Sequence, residues 1–161
     1  MKRLLSVAVL VFCVVGIGLA AAAHADDAST EAVRAANDAF YEALNAMFVG
    51  EIEPMKAVWS HASDITYMGP AGGFLVGWDA VGPTWEAQAA LMLGGHIDAR
   101  DTRITVGRDL AVVSTVEVGE NTNPEIGSQT VSIRATNVFR LEMGVWKMIG
   151  HHTDLLPFLE D

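Results

Sequence analysis

Val131-Ser132-Ile133-Arg134-Ala135-Thr136-Asn137-Val138-Phe139-Arg140-Leu141, then Glu142-Met143-Gly144, then Val145-Trp146-Lys147-Met148-Ile149-Gly150-His151-His152-Thr153 is the stretch whose reading decides the fold. Two runs rich in β-branched and aromatic residues flank a turn-length link, which predicts an antiparallel hairpin. Alternation places Val131, Ile133, Ala135, Asn137, Phe139 and Leu141 on one face, so an amide stands among hydrophobes. A buried amide needs hydrogen-bond partners or a ligand. The second strand ends in titratable groups, and an apolar sheet face that ends this way is how a small-molecule pocket reads in sequence.

Working back from the hairpin, His96 to Val106 and Leu110 to Val118 read as further strands, joined by Gly107-Arg108-Asp109. A polar loop is expected over Glu120 to Gly127. Ile65 to Met68 and Phe74 to Val76 read as a small hairpin around Gly69-Pro70-Ala71-Gly72-Gly73. Val33, Ala36, Phe40, Leu44 and Met47 recur at helical spacing, with caps at Asp26, Asp27, Ser29 and Thr30 and a stop at Gly50. Pro54 opens a short second helix through Trp59, and Asp79 caps a third that runs to Leu93, with Pro83 inside its first turns. This order predicts an α+β domain in which three helices cover one face of a curved antiparallel sheet and leave a cavity beneath them.

Residues 1–25 read as a signal peptide: Lys2 and Arg3, an apolar run from Leu4 to Leu19, and the Ala23-His24-Ala25 cleavage pattern. The alternative is an uncleaved anchor over Leu4 to Ala23. Cleavage leaves a single domain over residues 26–161, exported to a periplasm or medium and with no stable membrane insertion. The only cysteine, Cys13, leaves with the signal, so disulfide and thiolate chemistry are excluded from the mature chain. Its 8 basic residues face 20 acidic ones. Nucleic acid is a poor partner for that field. His61, His96, His151 and His152 lack the close spacing of metal ligands, so neither metal nor another cofactor is expected.

The element order, with Phe40-Tyr41-Glu42-Ala43-Leu44-Asn45, Asp64-Ile65-Thr66-Tyr67-Met68-Gly69-Pro70, Gly77-Trp78-Asp79-Ala80-Val81 and Arg134-Ala135-Thr136-Asn137-Val138-Phe139-Arg140, resembles the SnoaL-like branch of the NTF2-like superfamily. That branch also holds ketosteroid isomerase. The resemblance covers about residues 30 to 155 and implies a cone-shaped pocket and a homodimer formed through the sheet. It also implies where isomerase groups would stand: the tyrosine at Phe40, with Tyr41 one place away, the base at Gly69, and the oxyanion acid at Asn137. Glycine abstracts no proton, so steroid isomerisation by those positions is not expected. A His-His-Thr ending is similar to the metal-free carbonic anhydrases of the superfamily, with His151 and Thr153 as counterparts.

Alternation from Trp146 and Met148 turns His152 and Asp154 inward, and His151 outward, unless a bulge intervenes. The candidate catalytic residues are therefore His152, His151 and Asn137. Tyr41, Tyr67, Met68, Trp85, Met92, Phe139, Trp146 and Thr153 are the candidate walls around a small apolar ligand. The rival reading is a non-catalytic dimeric module, with the histidines as plain strand-end hydrogen bonders.

Overall fold

The computed structural model describes residues 15–70, 72–123 and 127–154. The basic start of the expected signal lies outside them. Helix α1 (Val15–Met47) runs without a break through Asp26–Thr30, where a helix start was expected. No helix among the described residues is long and apolar enough to cross a membrane. Val33, Phe40, Leu44 and Met47 form the buried stripe of α1, and Asn37 and Tyr41 lie on it too. Gly50 ends the helix at φ 91°, a left-handed conformation that glycine adopts without a Cβ penalty.

Helix α2 (Glu53–Val58) starts at Glu53 and carries Pro54 in its first turn, and Trp59 then turns extended to bridge Met148. Strands β1 (Thr66–Gly69) and β2 (Gly72–Val76) form the small hairpin. Helix α3 (Trp78–Ala89) has Gly77, not Asp79, at its N-cap and ends four residues before Leu93. Strands β3 (His96–Val106), β4 (Leu110–Asn123), β5 (Gly127–Glu142) and β6 (Val145–Asp154) make the meander. The expected Glu120–Gly127 loop is mostly strand, since β4 and β5 pair as far as Asn123 with Gly127.

The sheet runs β2-β1-β6-β5-β4-β3 and is mixed, because β1 pairs parallel with β6. Turn lengths show only the neighbours joined by short links, so the expectation of an all-antiparallel sheet missed this long-range pair. Helix α1 lies over the inner face against β3 and β6. Asn45 binds it to the edge strand through a reciprocal pair: its Nδ2 donates to the Ile97 carbonyl at 3.0 Å and its Oδ1 accepts from the Ile97 N–H at 2.8 Å. Trp59, Trp85, Phe40, Phe139 and Met148 are all fully buried between the layers. Each such side chain contributes about 1.5–3 kcal/mol by leaving water.

One irregularity decides the site. Val138 pairs with Gly150 but Phe139 pairs with Met148, so Ile149 is an extra residue in β6. A bulge of this kind shifts the alternation by one for every residue beyond it.

Candidate active site in the cone

Because of the bulge, His151 and Thr153 face inward and are 5% and 1% exposed, whereas His152 and Asp154 face out. The expected inward His152–Asp154 pair is thus overturned. Its geometry is intact on the wrong face: His152 Nε2 lies 2.6 Å from Asp154 Oδ2 in an open cleft of about 240 Å³ shared with Arg134 and Thr136. Met68 pairs across to His152 and follows it to the outer side, while Tyr67 pairs to His151 and points in. Met92 sits beyond the end of α3 at φ 50°, is 54% exposed and packs its sulfur toward Gly50, not among the rings around His151. Trp146 is half-buried at the start of β6, and Phe139 is plain core.

Inside the cone a polar cluster is assembled from α1, β4, β5 and β6. The Tyr41 hydroxyl donates to Glu117 Oε1 at 3.0 Å. Asn137 Nδ2 donates to Asn37 Oδ1 at 2.9 Å and lies 3.4 Å from the Tyr41 hydroxyl, while Asn137 Oδ1 lies 2.6 Å from His151 Nδ1. The other ring nitrogen of His151, Nε2, is 3.8 Å from Glu117 Oε1. That is too long for a hydrogen bond. Strand register explains the convergence, because Asn137 pairs with His151, Glu117 with Ile133, and the small Ala135 stands between those rows.

Aromatic rings wall the cluster. His151 lies 5.0 Å from the ring of Phe40 and stacks within 10° of Tyr67, and Trp85 sits 4.6 Å from Tyr67. Gln88 of α3 donates to the Tyr67 hydroxyl at 3.0 Å. A Cβ at Gly69 would overlap that same hydroxyl. The position where the resemblance puts a base is therefore filled by Tyr67. Among the described residues, buried Trp59 Nε1, Trp85 Nε1 and Thr153 Oγ1 have no hydrogen-bond partner.

Burial sets the ionisation. Loss of solvent pushes the Glu117 carboxyl up to about 7, and the Tyr41 hydrogen bond offsets this only in part. Burial, with a smaller contribution from His152, drives His151 down to about 3, so it is neutral despite its acidic neighbour. Tyr41 rises well above the ordinary phenol range, first from burial and then from the Glu117 charge. A buried carboxyl near 7 can give or take a proton at neutral pH. Among the described residues no group of three or more His, Cys, Asp or Glu is placed to hold a metal.

Asn137 was legible as an inward polar residue, but its amide is spent on protein partners rather than offered to a ligand. Glu117 and Asn37 were missed, although the same signal marks both. Glu117 continues the inward line of Ala111, Val113 and Thr115, and Asn37 lies four residues from both Val33 and Tyr41 on the helix stripe.

Helices laid over a bent mixed sheet, with polar groups gathered at the base of the cone, define the NTF2-like class of fold. A SnoaL-like domain model matches residues 33–155, and the chain belongs to that family. No curated protein matches in sequence. Among solved structures, a candidate dehydratase of the NTF2-like family from Streptomyces avermitilis is 25% identical with a TM-score of 0.71, covering 81% of this chain and 98% of that one. A candidate calcium/calmodulin-dependent protein kinase type II association domain from Thiobacillus denitrificans is 27% identical at TM-score 0.65, covering 76% and 94%. An NTF2-like superfamily protein from Salmonella enterica, at 11% identity and TM-score 0.70 over 80% and 91%, shows the fold alone.

Proposed function

We propose that this is an exported SnoaL-like protein that binds a small, mostly apolar molecule in the cone and moves a proton on it, in a reaction of the isomerase or dehydratase type. One observation carries the reading: a single carboxyl, Glu117, buried among aromatic rings and held by Tyr41 beside the neutral imidazole of His151. Burying an acid costs folding free energy unless something compensates, so its presence here points to use. Glu117 is the proton carrier, Tyr41 steadies its carboxylate form, and Tyr67 and Trp85 flank the ligand. The likeness to the Streptomyces candidate dehydratase supports elimination chemistry.

The experiment starts from what the cone retains. Native mass spectrometry of the mature protein against lipophilic metabolites identifies a bound molecule, and NMR in deuterated buffer then follows the proton that moves on it. Glu117→Gln should lower turnover by about 10²-fold or more while the ligand still binds, and His152→Ala should leave turnover unchanged. Full activity in Glu117→Gln would end the assignment.

The outer sheet face favours a second property, a homodimer formed through it. Leu110 and Val112 are 48% and 40% exposed there, beside half-buried Val116, Val118 and Val138. The metal-free carbonic anhydrase alternative rests on His151 and Thr153 sharing the inner face. A carbon dioxide hydration assay on metal-stripped protein tests it.

A further inference from the structure

We infer that the Asn37–Asn137 amide pair locks His151 with its proton on Nδ1, so that the nitrogen turned toward the cone is an acceptor and the ligand engages it through a hydroxyl rather than a carbonyl. This rests on the ligand-binding reading above and specifies the chemistry of that same site.

The hydrogen-bond pattern fixes each step. Tyr41 commits its proton to Glu117 Oε1, so towards Asn137 its oxygen can only accept. Asn37 Oδ1 also accepts. Both therefore face the Asn137 amino group, which leaves Asn137 Oδ1 toward His151 at 2.6 Å. An oxygen that only accepts requires a donor opposite, so Nδ1 carries the ring proton. Reversing Asn137 alone would set its Oδ1 against the Asn37 oxygen, and reversing both amides together would still set that oxygen 3.4 Å from a hydroxyl whose proton is already given away. In the neutral ring the remaining nitrogen, Nε2, is then a bare lone pair, aimed to the side where Glu117 stands.

A ketone cannot satisfy that lone pair, but a hydroxyl can. The buried Trp85 Nε1–H, whose ring centroid is 6.5 Å from that of His151, is a donor with no partner among the described residues. A hydroxyl gives its proton to Nε2 and keeps an oxygen that can accept from a neighbouring N–H. Asn37 and Asn137 are positioning residues in this scheme, since they act on the ligand only through the imidazole.

The test has a spectroscopic arm and a binding arm. Nitrogen-15 NMR of ring-labelled histidine in the full mature protein should show His151 protonated at Nδ1 and bare at Nε2. A Nε2–H tautomer, or an even mixture, overturns the lock without any variant being made. Asn37→Ala should release the tautomer preference, and Asn37→Asp, which keeps an accepting oxygen, should restore it. An unmoved tautomer in Asn37→Ala removes Asn37 from the scheme. In the binding arm β-naphthol is compared with its methyl ether, which matches its ring but has no proton to give. The naphthol should bind about tenfold more tightly, the worth of one hydrogen bond, and that ratio should fall toward one in Asn37→Ala. Equal binding of both probes overturns hydroxyl recognition and leaves the cone a binding site. Binding of neither removes the ligand reading as well.

Discussion

Glu117 and His151 are shifted in opposite directions by one cause, burial, and their effects on stability have opposite signs. The folded-state value of Glu117 is raised from 4.5 to about 7, so its contribution is fully present below pH 4.5 and is lost as pH rises through 7. His151, lowered from 6.5 to about 3, contributes above pH 6.5 and loses that as pH falls toward 3. Between roughly 4.5 and 6.5 the two slopes cancel. Thermal unfolding followed across pH should therefore show a plateau there with a decline on either side. Glu117→Gln should flatten the alkaline limb, recovering on the order of 3 kcal/mol at pH 8. An alkaline limb that survives the substitution would place the titration elsewhere.

At the scale of elements, the extra residue Ile149 determines which histidine enters the cone. Deleting Ile149 alone removes the extra residue and keeps Val138 opposite Gly150 and Asn137 opposite His151, so His151 stays in the cone; deleting Gly150 as well slides the strand by one and turns His152 and Asp154 inward in its place. The single deletion should therefore be tolerated, whereas the double deletion, which buries the His152–Asp154 pair and takes His151 from Asn137 and Glu117, should cost more than about 3 kcal/mol in denaturant unfolding. An unchanged midpoint in the double deletion would contradict the bulge. The neighbouring turn allows a prediction of the other sign. Met143 and Gly144 have φ of 48° and 84°, the two-residue primed turn that prefers Asn-Gly, and Met143 is fully exposed. Met143→Asn should raise stability by roughly 0.5–1 kcal/mol, read as a higher melting temperature. The turn was legible from its length and its glycine, but the bulge was not. Gly150 is the one local hint of a bulge, and only pairing against β5 shows that the strand takes it up at Ile149.

For the whole molecule the open question is how the outer face of the sheet is used. If copies pair there, sedimentation of the mature chain should give a dimer, and Val112→Glu should give a folded monomer, since a buried unpaired charge is costly at an interface. A wild-type monomer at every concentration would remove the proposal. Local patterning alone determined the helices, the strands, the hairpin turns and the apolar stripe of α1, because these depend on side-chain period and turn chemistry between near neighbours. It also marked Asn137 as an inward amide and Tyr67 and Trp85 as cone residues, while Tyr41 entered only through the family resemblance. The parallel pairing of β1 with β6, the inward turn of His151 and the meeting of Tyr41, Glu117, Asn137 and Asn37 were decided only in the tertiary structure. The physical reason is separation: these groups lie as many as 100 residues apart in the chain and are brought together by register and curvature. One inserted residue in a strand is enough to reverse which side chains meet.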